Sequence, residues 1–251
     1  MTYAIYPSLK DKAVFITGGA SGIGEEMVRG FAGQGARVGF IDMDAAGGAK
    51  LAAELGSDVA FEACDLRDIA ALKRAFAALE ARLGVCDVLV NNAARDDRHG
   101  WQDVTPDYYD ERIATNLRHF FFAIQAVAPA MITRAKGGSI INMGSNSWWE
   151  AVGGMPVYTT AKAAVHGLTR GMARDLGPHR IRVNTVVPGW IMTERQKQLW
   201  ATPETLERHR QNQCLPDLIE PHYVARMVMF LASDDAAMCS ANDYMVEAGS
   251  I

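Results

Sequence analysis

The stretch AVFITGGASGIGEEMVRGFAGQG, residues 13–35, decides how the rest of the chain is read. Its first five residues, Ala13 to Thr17, form a short apolar run ended by glycines, which is the pattern of a buried strand. Gly18, Gly22 and Gly24 then open a segment in which the apolar residues Ile23, Met27 and Phe31 recur at helical spacing. A strand, a glycine turn and a helix N-terminus together make an anion site. Missing side chains let the backbone approach a pyrophosphate, and free N–H groups with the helix dipole attract it. Glycines can also serve a tight turn and nothing more, but the strand before and the helix after are the context that dinucleotide binding requires.

Outward from that unit, the chain repeats the same alternation. Arg37 to Ile41 reads as a second strand ending at Asp42, an acid about 20 residues past the glycines, where it can accept hydrogen bonds from an adenosine ribose. Asp42 could equally cap a helix from Ala45, a role it could share with Asp44. Further strands are expected near 58–63, 87–91, 139–143, 181–187 and 243–247, with helices between them, among others at 68–83, 116–134, 157–177 and 203–211. Repeated βα units without linker, repeat or low-complexity stretch predict one α/β domain over residues 1–251. Its architecture is a Rossmann fold, a doubly wound parallel seven-stranded sheet with helices on both faces. Ligands in such sheets collect at the carboxyl ends of the strands. The one long connection, 188–220, is expected to act as a substrate lid or binding loop, or else to be a plain surface excursion.

Composition restricts the function classes. A chain of 251 residues, 49% hydrophobic and 22% charged, is that of a globular domain. A net charge of −4 offers no basic surface for nucleic acid or anionic membrane. No apolar run approaches the ~20 residues of a membrane span, and the N-terminus lacks a signal pattern. The four cysteines, Cys64, Cys86, Cys214 and Cys239, show no Cys-x-x-Cys pairing and read as reduced thiols of a cytoplasmic protein. The six histidines show no His-Glu-x-x-His pattern, so no metal is expected.

A second signal lies in VYTTAKAAVHGLTRGMARDLG, residues 157–177. Tyr158 and Lys162 share one helix face, and Ser145 lies upstream in INMGSNS. A phenol with an ordinary pKa of roughly 10 is a poor base at neutral pH, and a neighbouring ammonium lowers that value by favouring the phenolate. A serine hydrolase would need a Gly-x-Ser-x-Gly elbow, and residues 143–147 do not supply one.

Together, TGGASGIG at 17–24, Asp65, NNAA at 91–94, Asn116, Ser145, Tyr158-x-x-x-Lys162, Pro188-Gly189 and Thr193 resemble the short-chain dehydrogenase/reductase family over nearly the whole chain. The resemblance implies a nicotinamide cofactor held by Gly18, Ser21, Gly22, Ile23, Gly24, Asp42, Met43, Asp65, Leu66, Asn92, Ala93, Pro188, Gly189, Ile191 and Thr193, with Tyr158 and Lys162. It implies Tyr158 as proton acceptor, Lys162 lowering the phenol pKa and holding the nicotinamide ribose, Ser145 on the substrate oxygen and Asn116 supporting a water path to Lys162. Asn116 could otherwise cap a helix. Asp42, and the lack of a cation at Ser21, point to NAD over NADP. The sequence from 116 to 134 is apolar nearly all round, and the family pairs this helix across subunits, which implies a homo-oligomer, a tetramer. Two departures stand out: Ala94 and Ala241 replace glycines usual in the family. A nucleotide-sensing module that has lost catalysis is disfavoured by the intact Ser145, Tyr158 and Lys162.

The substrate reading rests on polar and aromatic groups near the nicotinamide loop. ARDDRH at 94–99 and SNSWWE at 145–150 suit hydroxyl groups with indoles to stack on sugar C–H faces. Arg95, Ser145, Asn146, Ser147, Trp148, Tyr158, Trp190 and Gln196 are the expected substrate contacts. Alternatively, Asp96 and Asp97 cap a helix and Trp148 packs against the lid. AIYPSLK at 4–10, DDRH at 96–99, Ser147-Trp148 and QCL at 213–215 resemble the aldose 1-dehydrogenases of this family, implying oxidation of a cyclic aldose at C1 to its lactone. Arg95, Trp149 and Glu150 depart from that pattern, so a pentose or 6-deoxyhexose (D-xylose, L-arabinose or L-fucose) is expected. The alternative is a secondary alcohol on a sugar acid or keto-deoxy acid, its carboxylate gripped by Arg95, Arg98 or Arg195.

Overall fold

The structure is a computed structural model and describes residues 4–250. Among these, seven parallel strands form one sheet: β1 (Ala13–Thr17), β2 (Arg37–Asp42), β3 (Val59–Ala63), β4 (Val88–Asn91), β5 (Gly138–Met143), β6 (Ile181–Pro188) and β7 (Asp243–Val246). Their spatial order is β3-β2-β1-β4-β5-β6-β7. The order reverses between β1 and β4, and the loops leaving those two strands diverge to opposite sides and open a crevice.

Alternation along β1 shows how the sheet is buried on both faces. Val14 and Ile16 join the core under α1 (Gly22–Gly33) and α9 (Pro221–Ala232), with Met27, Phe31, Val224 and Val228. Ala13 and Phe15 face the other way, against Leu72 and Phe76 of α3 (Ile69–Leu83) and Ile124 and Val127 of α5 (His119–Arg134). Every residue of β1 is buried, which is why the strand reads as an unbroken apolar run rather than an alternating one. Asp44 and Asp68 cap α2 (Ala45–Leu55) and α3 through the N–H groups of Gly47 and Ala71. Asp42 is therefore not the cap of α2.

One expectation about the helices is corrected. Asn116 does not cap a helix. The helix begins at Pro106 as α4 (Pro106–Ile113), runs through a π-turn at Ala114–Arg118, and continues as α5. Thr105 is the cap, accepting from Tyr108 N–H, so the polar start signal lay eleven residues earlier. The second departure from family pattern lies at a special backbone position. Ala241 has φ +62°, in the left-handed region where a Cβ costs about 1–2 kcal/mol. Its N–H is bonded to Val183 O at 2.8 Å, which holds the residue there. Ala94 carries no such strain, because its φ is not positive.

The catalytic-side segments α6 (Pro156–Leu176), α7 (Glu194–Leu199) and α8 (Pro203–Gln211) complete the chain. Helix α8 has a capping box between Thr202 and Thr205. No helix of the described residues is long and apolar enough to cross a membrane.

Replacing Ala241 by Gly removes the Cβ penalty but adds chain entropy to the unfolded state. The expected net gain is about 0.5–1 kcal/mol, read as a rise in denaturant midpoint at unchanged m-value.

Candidate active site

Along the carboxyl ends of the strands runs one cleft of about 1260 Å³. Its floor is set by the glycine turn. Gly18 and Gly22 have φ of +68° and +57°, and a Cβ on Gly24 would lie 1.8 Å from Gly18 O. Only glycine lets α1 start this close to β1. Ser21 precedes α1 without a side-chain cap, so the first N–H groups of the helix stay free for an anion. Asn92 holds the two halves of the crevice together. Its Nδ2 donates to Thr17 O at 3.1 Å and Gly18 O at 2.9 Å, and its own N–H donates to Thr17 Oγ1 at 2.9 Å. Asp42 accepts from Ala20 N–H and Asp44 N–H, each at 3.0 Å, which fixes its carboxylate at the rim with one lone pair free on each oxygen. This cradle fits a dinucleotide.

All the residues expected to hold the cofactor line this one cleft: Gly18, Ser21, Gly22, Ile23, Gly24, Asp42, Met43, Asp65, Leu66, Asn92, Ala93, Tyr158, Lys162, Pro188, Gly189, Ile191 and Thr193. Arg95, Ser145, Asn146, Ser147, Trp190 and Gln196 line it too. Asn116 and Trp148 do not.

Asn116 is fully buried behind the wall. Its Oδ1 accepts from Arg95 N–H at 2.8 Å, and its Nδ2 donates to Arg112 O at 2.9 Å, pinning the loop after β4 to the π-turn. Trp148 turns away from both the cleft and the 188–220 arm. Its Nε1–H donates to His166 Nε2 at 2.9 Å, and its ring also meets Trp149. An indole only donates, so His166 Nε2 is bare and the ring proton sits on Nδ1, 2.8 Å from Asp243 Oδ1. The chain Trp148–His166–Asp243 braces the loop after β5 against α6 and β7. Asp96 and Asp97 do not cap a helix either. They are clasped by Arg195, at 2.5 and 2.8 Å.

Family identity follows from the whole chain. The sequence model described as Enoyl-(Acyl carrier protein) reductase, of the short-chain dehydrogenase type, matches residues 18–250. The chain is 50% identical to D-xylose 1-dehydrogenase of Caulobacter vibrioides (strain NA1000 / CB15N), over 99% of each chain. It belongs to the short-chain dehydrogenase/reductase family. It is also 44% identical to the Rhizobium meliloti (strain 1021) protein named "Probable galactose dehydrogenase GalD", over 97% of this chain and 96% of that one. Among solved structures, a short-chain type dehydrogenase/reductase from Mycobacterium ulcerans superposes with a TM-score of 0.91 at 26% identity, over 96% of this chain and 90% of that one. The short-chain dehydrogenase fold and a nicotinamide cofactor, NAD or NADP, are thereby assigned, with an oxidoreductase acting on CH–OH groups.

In this dehydrogenase the electrostatics of Tyr158 differ from expectation. Burial pushes its phenol up to about 12, and the charge of Asp96 adds to that, while the Ser145 hydroxyl and Arg98 pull the other way. Burial likewise pushes Lys162 down to about 7, against the charge of Asp96. Lys162 Nζ donates to Met143 O at 2.7 Å and lies 5.8 Å from the Tyr158 ring centroid. The lowering of the phenol expected from Lys162 is thus outweighed in the protein by desolvation of both charged forms. Ser145 is poised between them and the loop. Its Oγ accepts from Ser147 N–H at 3.2 Å and donates to Ser147 Oγ at 3.0 Å.

Sequence reasoning missed several wall residues. His119 is buried, and burial pushes it down to about 4, so it is neutral. Its Nε2–H points at Ala93 O (3.1 Å) and Thr115 O (3.0 Å), tying the nicotinamide-side loop to the π-turn. Asp65, Arg67, Glu111, Arg112 and Asp97 form a continuous run of ion pairs beside the cleft. Trp200, His209 and His222 line it from the arm side. Glu111–Arg112 and Asp65–Arg67 are close in sequence, but the pairs that join them into one run, Arg67–Glu111 and Arg112–Asp97, are long-range and carry no local pattern.

Trp148→Phe should lower stability by about 1–2 kcal/mol through the unpaired His166 and lost packing. The KM for a sugar should stay within about two-fold, because the ring does not line the cleft. Thermal melts and steady-state kinetics of one preparation check both.

Proposed function

We propose that the protein oxidises the C1 hydroxyl of a cyclic aldose to the lactone, using NAD. The observation that carries this reading is the 50% identity to a D-xylose 1-dehydrogenase over the full chain, in combination with the charge state of the cleft. Of the three guanidinium groups that could grip a sugar acid, Arg195 is already shared between Asp96 and Asp97, and Arg95 is paired with Asp97. Arg98 is stacked over Trp200 at 5.4 Å. With two of the three cations engaged by the wall's own carboxylates and the third stacked on an indole, the site favours a neutral polyhydroxyl substrate over a carboxylate.

Tyr158 accepts the proton of the anomeric hydroxyl, and Ser145 donates to the same oxygen as it becomes a carbonyl. The bound oxidised nicotinamide would supply the hydride acceptor and a positive ring charge that favours the phenolate. Lys162, held by Met143 O, orients the nicotinamide ribose. Asn116 steadies the wall through Arg95 N–H rather than touching the sugar. Residues 188–220 form the arm over the substrate side. The exposed aromatic groups Tyr109 of α4 and Phe121 of α5, 42% and 41% exposed, support a homo-oligomer built on that face, in keeping with the proposed tetramer.

Because burial raises the phenol, the basic form gains population as pH rises, so the oxidation rate should climb from neutral into the alkaline range. Tyr158→Phe should lower turnover at least ~10²-fold while leaving cofactor binding little changed. An aldose panel containing D-xylose, D-galactose, L-arabinose and L-fucose tests the substrate class. A lactone hydrolysing to an aldonic acid is the expected product. A keto-acid product with no turnover of any free aldose would overturn the reading.

NAD preference has its own test. An Asp42 carboxylate at the end of β2 supports NAD, because it would repel a ribose 2′-phosphate bound beside it, and Arg67, which also lines the cleft, is committed to Asp65 and Glu111. Catalytic efficiency with NAD should exceed that with NADP by about ten-fold or more, equivalent to about 1.4 kcal/mol, and Asp42→Ala should narrow the gap. Equal efficiencies in the wild-type protein would refute the preference.

A further inference from the structure

The arm between β6 and α9 is built differently from the rest of the molecule. Neither α7 nor α8 has a buried residue. At its root the arm is closed by Met192 N–H on Ile219 O at 2.8 Å. Further out, the contacts of α7 with the opposite wall are polar. Arg195 Nη1 donates to Asp96 Oδ1 at 2.5 Å, and Arg195 Nη2 donates to Asp97 Oδ1 at 2.8 Å. Gln196 Nε2 donates to Asp96 Oδ2 at 2.9 Å, while its own Oε1 accepts from Trp190 Nε1 at 2.8 Å. Asp97 is anchored in turn by Arg112, whose side chain is 8% exposed. The tip formed by α7 and α8 has little apolar burial and opens at low free-energy cost, so the two-point guanidinium clamp fastens it to the opposite wall. The base of the arm is held by the buried Ile191, Met192, Gln213 and Ile219 and by the N–H groups of Cys214 and Leu215 on Ala248 O.

Asp96 also looks inward. Its side chain is only 19% exposed and lines the same cleft as Tyr158 and Lys162. Burial works against its charge, but hydrogen bonds from Gln196 and Arg195 outweigh that and hold its carboxyl below the ordinary range. The charged groups around it are Arg95, Asp97 and Arg98 on its own loop, Arg112 of α4, Arg195 of α7 and the Tyr158–Lys162 pair of α6.

We propose that Arg195 is a positioning residue that latches the arm over the cleft through Asp96 and Asp97, and that the latch governs the proton-transfer step because Asp96 is the carboxylate facing Tyr158 and Lys162. With the arm latched, the guanidinium cancels the Asp96 charge. With it released, Arg98 alone of the partnering cations still offsets the carboxylate, which opposes the phenolate more strongly, so the base needs a higher pH than beneath a closed arm. The inference rests on Tyr158 being the base, and not on which sugar is oxidised.

The test compares the pH dependence of kcat for NAD-dependent oxidation of D-xylose in four proteins: wild type, Arg195→Met, Asp96→Asn and the double variant. Limited proteolysis of the arm is followed in the same proteins without sugar. Arg195→Met leaves Asp96 uncompensated. Its acidic limb should move up by on the order of half to one pH unit, and its arm should be cut faster. Asp96→Asn removes the opposing charge, so its limb should move down by a similar amount, and the double variant should lose the upward shift. Arg195→Lys, retaining the charge without the fork, should restore most of the limb position. A merely structural role would move both single variants in one direction, or raise KM with the limb unmoved, and either result overturns the proposal. An unchanged cleavage rate in Arg195→Met overturns the latch whatever the sugar. A wild-type protein that turns over no aldose counts against the substrate reading alone, and the proteolysis still decides the latch.

Discussion

The contact between the start of α1 and the end of β1 is the constraint on which the rest of the site depends. A Cβ at Gly24 would sit 1.8 Å from Gly18 O, closer than any side chain tolerates, so the helix can point its free N–H groups into the crevice only with glycine there. That crevice exists because strand order reverses between β1 and β4. Asn92 spans the reversal by donating to Thr17 O and Gly18 O, which ties the nucleotide cradle to the loop that carries Ala93 to Asp97.

Burial then governs the chemistry of the opposite wall. Tyr158 and Lys162 sit where desolvation penalises a charge on either, which raises the phenol and lowers the ammonium. Their protonation states are therefore sensitive to any further charge brought nearby, whether from a bound cofactor or from the protein. A dyad in water would be buffered against such influences by dielectric screening. The wall beside them is laced with paired rather than free ions, from Asp65 through Arg67, Glu111, Arg112 and Asp97 to Arg195, of which Arg112 alone is buried. A lone buried charge is costly, and a run of alternating partners shares that cost.

Braces behind the cleft have an equal part in its shape. The π-turn at Ala114–Arg118 inserts one extra residue per turn at the point where Asn116 must reach Arg95 N–H and His119 must reach Ala93 O. On the other flank, Trp148 reaches through His166 to Asp243 and fixes the loop that presents Ser145. Both braces tie loops of the cleft to elements behind it through buried or half-buried polar side chains.

The sequence by itself determined the sheet, its alternation with helices, the glycine turn and the Tyr158–Lys162 face. Each of these is a local pattern with a fixed period: an apolar run for a strand buried on both sides, i and i+4 on a helix, a left-handed turn that only glycine enters cheaply. Asp42, Asp65 and Asn92 were placed in the cleft for the same reason, since Asp42 ends β2, the other two closely follow β3 and β4, and strand ends converge. Tertiary structure decided what no period encodes. Arg195 meets Asp96 across 98 intervening positions, Trp148 meets His166 instead of the cleft, and the helix holding Asn116 begins at Pro106 because a π-turn, not a cap, lies at 114–118. The left-handed φ of Ala241 was hidden for the converse reason, because alanine is the residue least suggestive of a special backbone and only its bond to Val183 O holds it there. The phenol's direction of shift also belonged to the fold, because spacing places a cation beside Tyr158 but only packing removes the water from both.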